Sequence, residues 1–142
     1  MSRSHEYYVK NLLEQIYGPS YRTDRYYTTV KYAEGKGQID GIIKTDRGEI
    51  AVEIEARVAK QVRGALLDLY FHKAKRKLLI IVPVHMYDPE TLKKDAEYII
   101  KKLSENKPEI KFKAIVLKGT GHNPCQDEDK SKIINAVNEL IS

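Results

Sequence analysis

Hydrophobic residues recur every three or four positions in four stretches of the chain, which is the spacing that predicts amphipathic helices. In the first stretch the apolar positions are Val9, Leu12, Leu13 and Ile16. The third begins with Asp88 and Pro89, a pair typical of a helix start. The predicted helices cover residues 4–17, 58–72 and 88–106, and a last helix follows the polar loop of residues 119–129.

Five other stretches predict strands, because they are rich in β-branched and aromatic residues or are apolar throughout. They cover residues 25–33, 38–44, 49–56, 77–84 and 112–117. Short turns separate the first three, which predicts an antiparallel meander. The order α-β-β-β-α-β-α-β-α indicates the α/β class, with one mixed sheet flanked by helices. No Pro/Gly/Ser-rich linker interrupts the pattern, so residues 1–142 are predicted to form a single domain.

The composition is that of a globular protein: 142 residues, of which 42% are hydrophobic and 32% are charged. The longest apolar stretch, residues 78–84, is too short to span a bilayer, and the N-terminus lacks the apolar segment of a signal peptide. We therefore expect a cytoplasmic protein with neither membrane contact nor organic cofactor. Cys125 is the only cysteine, which excludes an intrachain disulfide and a cysteine-based zinc site.

The formal net charge is +5, which permits contact with a polyanion. Several cations follow soon after the third predicted strand: Lys60, Arg63, Lys73, Lys75, Arg76 and Lys77. They are consistent with a phosphate-binding rim and also with a solvated helix face.

Three carboxylates stand out within residues 37–57: Asp40, Glu53 and Glu55. Glu53 and Glu55 lie two residues apart on a predicted strand, so they project from the same face, and a hairpin partner can bring Asp40 beside them. Such a group suits Mg²⁺ or Mn²⁺, which suggests metal-assisted phosphodiester chemistry. The alternative is the polar outer face of an exposed hairpin. Apolar neighbours on both strands favour the metal site, because clustered buried acids are costly without cations.

In this context the chain resembles the PD-(D/E)xK nuclease superfamily, which has the restriction-endonuclease-like fold. The resemblance covers the α-β-β-β-α-β order of residues 4–84. It depends on Asp40 in Gln-Ile-Asp-Gly and on Glu53-Ile-Glu55, where the family has an acid on the second strand and (D/E)-x-K on the third. Ile39 stands in place of the proline of the family name. Glu55 stands in place of the lysine, as in some type II restriction enzymes.

The resemblance implies a Mg²⁺ or Mn²⁺ ion held by Asp40, Glu53 and the backbone carbonyl of Ile54. Glu6 heads the first helix and is a further candidate ligand, by similarity to archaeal Holliday-junction resolvases. A solvated glutamate favoured by the helix dipole is the alternative for Glu6.

The resemblance also leaves the role of the missing lysine to be reassigned. Lys60 is the candidate for charge stabilisation, and Glu55 is the candidate for ligating the ion or for orienting or deprotonating the attacking water. Gln61 resembles the helix glutamine of exonuclease-like members; the alternative for Gln61 is a simple hydrogen bond at the start of its helix. Together with Arg57 and Arg63 it is a candidate for nucleic-acid contact.

The sequence therefore predicts a divalent-metal-dependent DNA endonuclease of restriction or repair and recombination type, working as a homodimer because each chain carries one site. One alternative is a catalytically inactive nucleic-acid-binding or assembly module on the same fold, suggested by Glu55. A protein-interaction domain without affinity for nucleic acid is a third possibility.

Overall fold

The computed structural model describes the backbone of residues 2–56, 59–84 and 88–142 and the side chains of residues 4–56, 62–84 and 88–142. The helices are α1 (Ser2–Tyr17), α2 (Arg25–Thr28), α3 (Ala59–Phe71), α4 (Pro89–Leu103) and α5 (Gln126–Ile141), with a 3₁₀ turn at Gly18–Ser20. The strands are β1 (Tyr21–Arg22), β2 (Thr29–Lys31), β3 (Lys36–Gln38), β4 (Gly41–Thr45), β5 (Gly48–Glu55), β6 (Arg76–Ile81) and β7 (Lys111–Val116). No helix in these ranges is both long and apolar enough to cross a membrane.

A five-stranded mixed sheet in the order β1-β4-β5-β6-β7 forms the centre of the fold. Strands β1, β4 and β5 pair antiparallel, while β5, β6 and β7 are parallel. The predicted α/β class, with a mixed sheet flanked by helices, is confirmed. Because β5, β6 and β7 run in the same direction, their carboxyl ends meet at one edge of the sheet.

Both faces of the sheet are covered by helices, and the alternation of side chains along each strand divides the core in two. Helices α1 and α5 pack on one face against residues such as Ile50, Val52 and Ile54. Helices α3 and α4 pack on the other face, against residues such as Ala51 and Leu79. Odd-numbered positions of β5 therefore point towards α3 and α4.

The prediction of one continuous strand over residues 25–33 is wrong. Residues 25–28 form the short helix α2, and residues 29–31 pair with β3 in a separate two-stranded ribbon. The edge position beside β4 is filled instead by the two-residue strand β1. Tertiary contacts explain the difference: the cations of Arg22 and Lys44 lie 4.8 and 5.1 Å from the centroid of the Tyr27 ring, and the Tyr27 carbonyl oxygen lies 2.6 Å from Nε2 of His72.

The predicted rim of cations beside the carboxylates is wrong for Arg76 and Lys77. Helix α3 has 13 residues, a rise of about 20 Å, and returns the chain to the opposite end of the sheet before β6 begins. Arg76 pairs in register with Ile50 and donates to the carbonyl oxygens of Arg47 and Leu140. The Arg76 side chain is thereby bound to carbonyl oxygens of the fold itself.

Lys77 is completely buried. Its ammonium group caps the C-terminal end of α3 by donating to the carbonyl oxygens of Leu69 (2.9 Å) and His72 (2.7 Å). Burial lowers the pKa of Lys77 to about 8. The unfolded chain, with a lysine pKa of about 10.4, therefore holds more protons than the native state between these two values. It follows that the free energy of unfolding rises with pH in this window, as the cost of the buried charge is removed.

We expect this rise to be about 1 to 2 kcal/mol between about pH 7.5 and pH 9.5. Urea unfolding followed by circular dichroism at several pH values measures it. A Lys77→Met variant should lose the pH-dependent rise, while Lys75→Met, which alters an exposed neighbour, should keep it. Equal pH dependence in Lys77→Met and the wild type would contradict the assignment.

Candidate functional site

Strand β4 begins at Gly41, and the residues just before it leave the ladder with β5. Continuing the register would place Ile39 opposite Ile54, but the Ile39 amide donates instead to the carbonyl oxygen of Thr28 at 3.0 Å. The Ile54 amide is then left for a side chain, and it donates to Oδ2 of Asp40 at 2.7 Å. Asp40 therefore takes the place of a strand partner, which fixes its carboxylate at the end of β5.

Glu53 completes a reciprocal arrangement with Asp40. The Asp40 amide donates to Oε1 of Glu53 at 3.0 Å. The Asp40 carboxylate is thus held by the backbone of β5, and the Glu53 carboxylate is held by the backbone of Asp40. Asp40 is half-buried and Glu53 is only 6% exposed. The structure thus brings the two acids together, in a pair that we call the Asp40–Glu53 pair.

The electrostatics of this pair favour an added positive charge. Burial raises the pKa of the Glu53 carboxyl well above its usual range, the hydrogen bond and charge of Asp40 raise it further, and the charge of Glu55 adds to the effect. A buried carboxyl group so close to a half-buried one is stabilised either by a proton between them or by a cation. The pair therefore has the chemistry of a cation site.

Glu55 lies on the same face of β5 as Glu53, but its side chain is completely buried. Its backbone carbonyl accepts the Val82 amide at 2.8 Å, which continues the parallel ladder with the chain beyond β6. Among the described residues, no group of three or more His, Cys, Asp or Glu side chains is placed to hold a metal ion. The third acid therefore adds charge to the Asp40–Glu53 pair without completing a three-carboxylate cage.

The carbonyl of Ile54 is the remaining oxygen donor predicted for the site. The N–H and C=O of a strand residue point to the same neighbour, and the Ile54 N–H points to Asp40. The Ile54 oxygen therefore faces the side of β5 from which β4 has departed. Two carboxylates and a carbonyl fit Mg²⁺, which binds through one or two carboxylates and keeps several waters.

Tyr21 is a residue that the sequence did not single out. Its hydroxyl oxygen is buried and accepts or donates no hydrogen bond within the described part of the chain. The ring fits over Gly41, where an added Cβ would lie 2.5 Å from a ring carbon. Burial raises the pKa of Tyr21, and the charges of Asp40, Glu14 and Glu53 raise it further. The hydroxyl is therefore protonated and lies near the acids. The only trace of this ring in the sequence is Gly41, directly after Asp40, where a side chain would collide with it.

Glu6 is half-buried on α1. The neighbouring His5 accepts the Gly121 amide through Nδ1 at 3.0 Å, which places the start of α1 against the loop that follows β7. This is the edge of the sheet at which β5 also ends. No contact among the described side chains joins Glu6 to the Asp40–Glu53 pair, and its role as a ligand stays a prediction.

The residues predicted for charge stabilisation and nucleic-acid contact are only partly placed. Arg63 is exposed on α3, near the helix start that follows β5. Arg57 lies outside the described residues, and so do the side chains of Lys60 and Gln61. Their roles stay predictions.

No protein-family model matches the chain, and no curated protein matches it either. Among solved structures the chain is similar to Pyrococcus furiosus SfsA in complex with Ca²⁺, with 18% sequence identity and a TM-score of 0.33. The match covers 80% of this chain and 54% of the SfsA chain, so this chain spans about half of that protein. A similarity of this degree does not establish a shared fold or function.

Proposed function

We propose that this protein is a divalent-metal-dependent DNA endonuclease that hydrolyses phosphodiester bonds. The observation that carries the proposal is the Asp40–Glu53 pair, a half-buried and a buried acid whose carboxyl groups are fixed at the end of β5 by reciprocal hydrogen bonds from backbone amides. Keeping two such acids in contact costs stability unless a cation compensates for their charge. Costly charge at a fixed position is typical of functional sites.

Asp40, Glu53 and the carbonyl oxygen of Ile54 would hold Mg²⁺ or Mn²⁺. When bound, such an ion would neutralise charge on a phosphate oxygen and lower the pKa of a water molecule. The chain itself orients the ligands: the Ile54 amide fixes Asp40, and the Asp40 amide fixes Glu53. The Tyr21 hydroxyl is buried near the acids and has no hydrogen-bond partner among the described residues, so it adds a polar group to the site rather than a contact for bound DNA.

Glu55 enters the proposal as a third acid on the same face of β5 as Glu53, with its side chain completely buried. Its predicted role with the attacking water, and the predicted role of Lys60 in stabilising charge, remain predictions. DNA as the substrate is supported by the net charge of +5 and by exposed Arg63. The homodimer also remains a prediction.

A second candidate function is the inactive nucleic-acid-binding or assembly module. It is favoured by Glu55 at the position of the family's lysine and by the lack, among the described residues, of a group of three metal-binding side chains. The two candidates differ in ion binding. Calorimetric titration with Mn²⁺ should show a site that Asp40→Asn removes if the protein is a nuclease, and no such site if it is the inactive module.

Cleavage assays test the proposal directly. We expect linear, branched or single-stranded DNA to be cut with Mg²⁺ or Mn²⁺ and to stay intact with chelator. Asp40→Asn should abolish the cleavage. Asp46→Asn, which removes an exposed acid from the turn of the same hairpin, should leave it unchanged. Cleavage that persists in Asp40→Asn, or that is absent for all three substrates with both metals, would refute the proposal.

A further inference from the structure

A cleft of about 530 Å³ lies between α2, the β2–β3 ribbon and the end of α3. Four cations line it: Arg25, Lys31, Lys36 and Lys73. No acid is among its lining residues, and none of the four cations makes an ion pair with any side chain that the structure describes. We call this the basic cleft. Its charge is complementary to an anionic ligand.

Two of these cations are held in an unfavourable arrangement. Lys31 and Lys36 are direct cross-strand partners in the β2–β3 ribbon. Like charges directly opposite each other destabilise a strand pair. The ribbon has only three residue pairs and carries this repulsion at its end, where an anion bound between the two ammonium groups would relieve it.

The cleft also presents aromatic rings to solvent. Tyr26 is 80% exposed and Phe71 is 51% exposed. Lys73 stands over the Tyr26 ring, with its Nζ 5.8 Å from the ring centroid. Exposed rings beside cations bind unpaired bases by stacking while the cations bind the phosphates. Bases within a duplex are already stacked on their neighbours, so a duplex offers only its phosphates to such a surface.

We propose that the basic cleft binds an unpaired stretch of DNA, with a base on Tyr26 or Phe71 and phosphates at Lys31, Lys36 and Lys73. The inference rests on the proposed function, since it makes DNA with a single-stranded segment the preferred substrate. The cleft shares no residue with the Asp40–Glu53 pair. Lys36 is four residues from Asp40, which sets their Cα atoms at most about 14 Å apart. A strand held in the cleft thus passes within a few nucleotides of the acids.

Fluorescence anisotropy with a labelled oligothymidine in chelator tests the cleft without cleavage. Tyr26→Ala is expected to weaken binding about tenfold, and Tyr26→Phe, which keeps the ring, to restore it. The matched control is Tyr98→Ala: Tyr98 is 62% exposed on α4 and also lies near a lysine, Lys102, yet it is outside the cleft. This control should bind like the wild type.

Two further arms separate stacking from charge. An oligonucleotide of the same length with abasic sites keeps the phosphates, so it should bind more weakly and be insensitive to Tyr26→Ala. Lys31→Ala should lower the slope of log affinity against log salt by about 0.7, the loss of one phosphate contact to a single strand. Inorganic phosphate should compete only weakly.

The inference is overturned if the wild type does not bind the oligothymidine, if Tyr26→Ala binds as tightly as the wild type, or if the abasic strand binds as tightly as the normal one. An equal loss of affinity in Tyr98→Ala would also overturn it. Failure of the proposed function has a different signature: Tyr26-dependent binding would persist in chelator, while no DNA would be cut with metal. Asp40-dependent cleavage without Tyr26-dependent binding would refute the cleft alone.

Discussion

A Glu53→Gln variant is expected to gain thermal stability in chelator and to lose Mn²⁺-dependent DNA cleavage by roughly 100-fold or more, the equivalent of about 3 kcal/mol of transition-state stabilisation. The glutamine keeps an oxygen that accepts from the Asp40 backbone amide, and its side-chain amide NH2 group can donate to the Asp40 carboxylate. It also removes the buried charge. Opposite signs for stability and activity are the signature of a site that is kept for function.

The sign of the stability change follows from the pKa of Glu53. Because the native pKa is raised, the native state holds more protons than the unfolded chain, and stability is lost as pH rises from the unfolded pKa through the native one. Glu53→Gln should remove this loss. Thermal unfolding at several pH values, with chelator and with Mn²⁺, measures both effects.

Glu49→Gln is the matched control, since Glu49 lies on the same strand and the same face as Glu53 but at the other end of β5. We expect it to leave both cleavage and the Mn²⁺-induced rise in melting temperature unchanged. If Glu53→Gln lowered stability in chelator and kept full cleavage, the Asp40–Glu53 pair would not be a cation site.

Replacing Asp129 with alanine is expected to lower the free energy of unfolding by about 3 to 5 kcal/mol. Asp129 is completely buried in the first turn of α5 and accepts three hydrogen bonds. The donors are the Tyr8 hydroxyl (2.6 Å), the Lys118 amide (2.7 Å) and the Gly119 amide (2.9 Å). Alanine would leave these donors without their acceptor and would loosen the contact of α1 with α5.

Urea unfolding followed by circular dichroism measures the loss. Asp127→Ala removes an exposed acid from the same turn of α5 and should cost less than about 1 kcal/mol. A double-mutant cycle with Tyr8→Phe isolates the Tyr8–Asp129 bond. Burial and the hydrogen bond to Asp129 raise the pKa of Tyr8 to about 12, so this hydroxyl donates at any pH at which the protein would be assayed. A loss below about 1 kcal/mol for Asp129→Ala would contradict the assignment.

The longer elements were predictable because their patterns are strong. The helical spacing of Val9, Leu12 and Leu13 gave α1, and all three side chains are buried. The continuous apolar run that contains Leu78 and Ile80 gave β6, a strand covered on both faces. Burial of one face fixes such elements whatever their neighbours do, so the α/β class could be inferred from the chain alone.

The region between α1 and β4 could not be predicted in the same way. Its aromatic and β-branched residues favour strands, yet Tyr27 is held by contacts with Arg22, Lys44 and His72, which are distant in sequence or depend on the final packing. The break at Asp40 is of the same kind. No local signal distinguishes an acid within a strand from an acid that replaces a strand partner, and this difference decides where its carboxylate lies.

Strand β7 is an outermost strand of the five-stranded sheet, and its side chains protect this side of the sheet from aggregation. The open backbone of an edge strand is a template onto which other chains can add, and lysines on such a strand oppose this. Lys111 is exposed on β7, Lys113 pairs with Glu139 at 2.9 Å, and Lys132 donates to the carbonyl oxygen of Val116 at 2.8 Å. A further strand would have to displace or bury these ammonium groups, so the sheet resists growing into a fibre from this side.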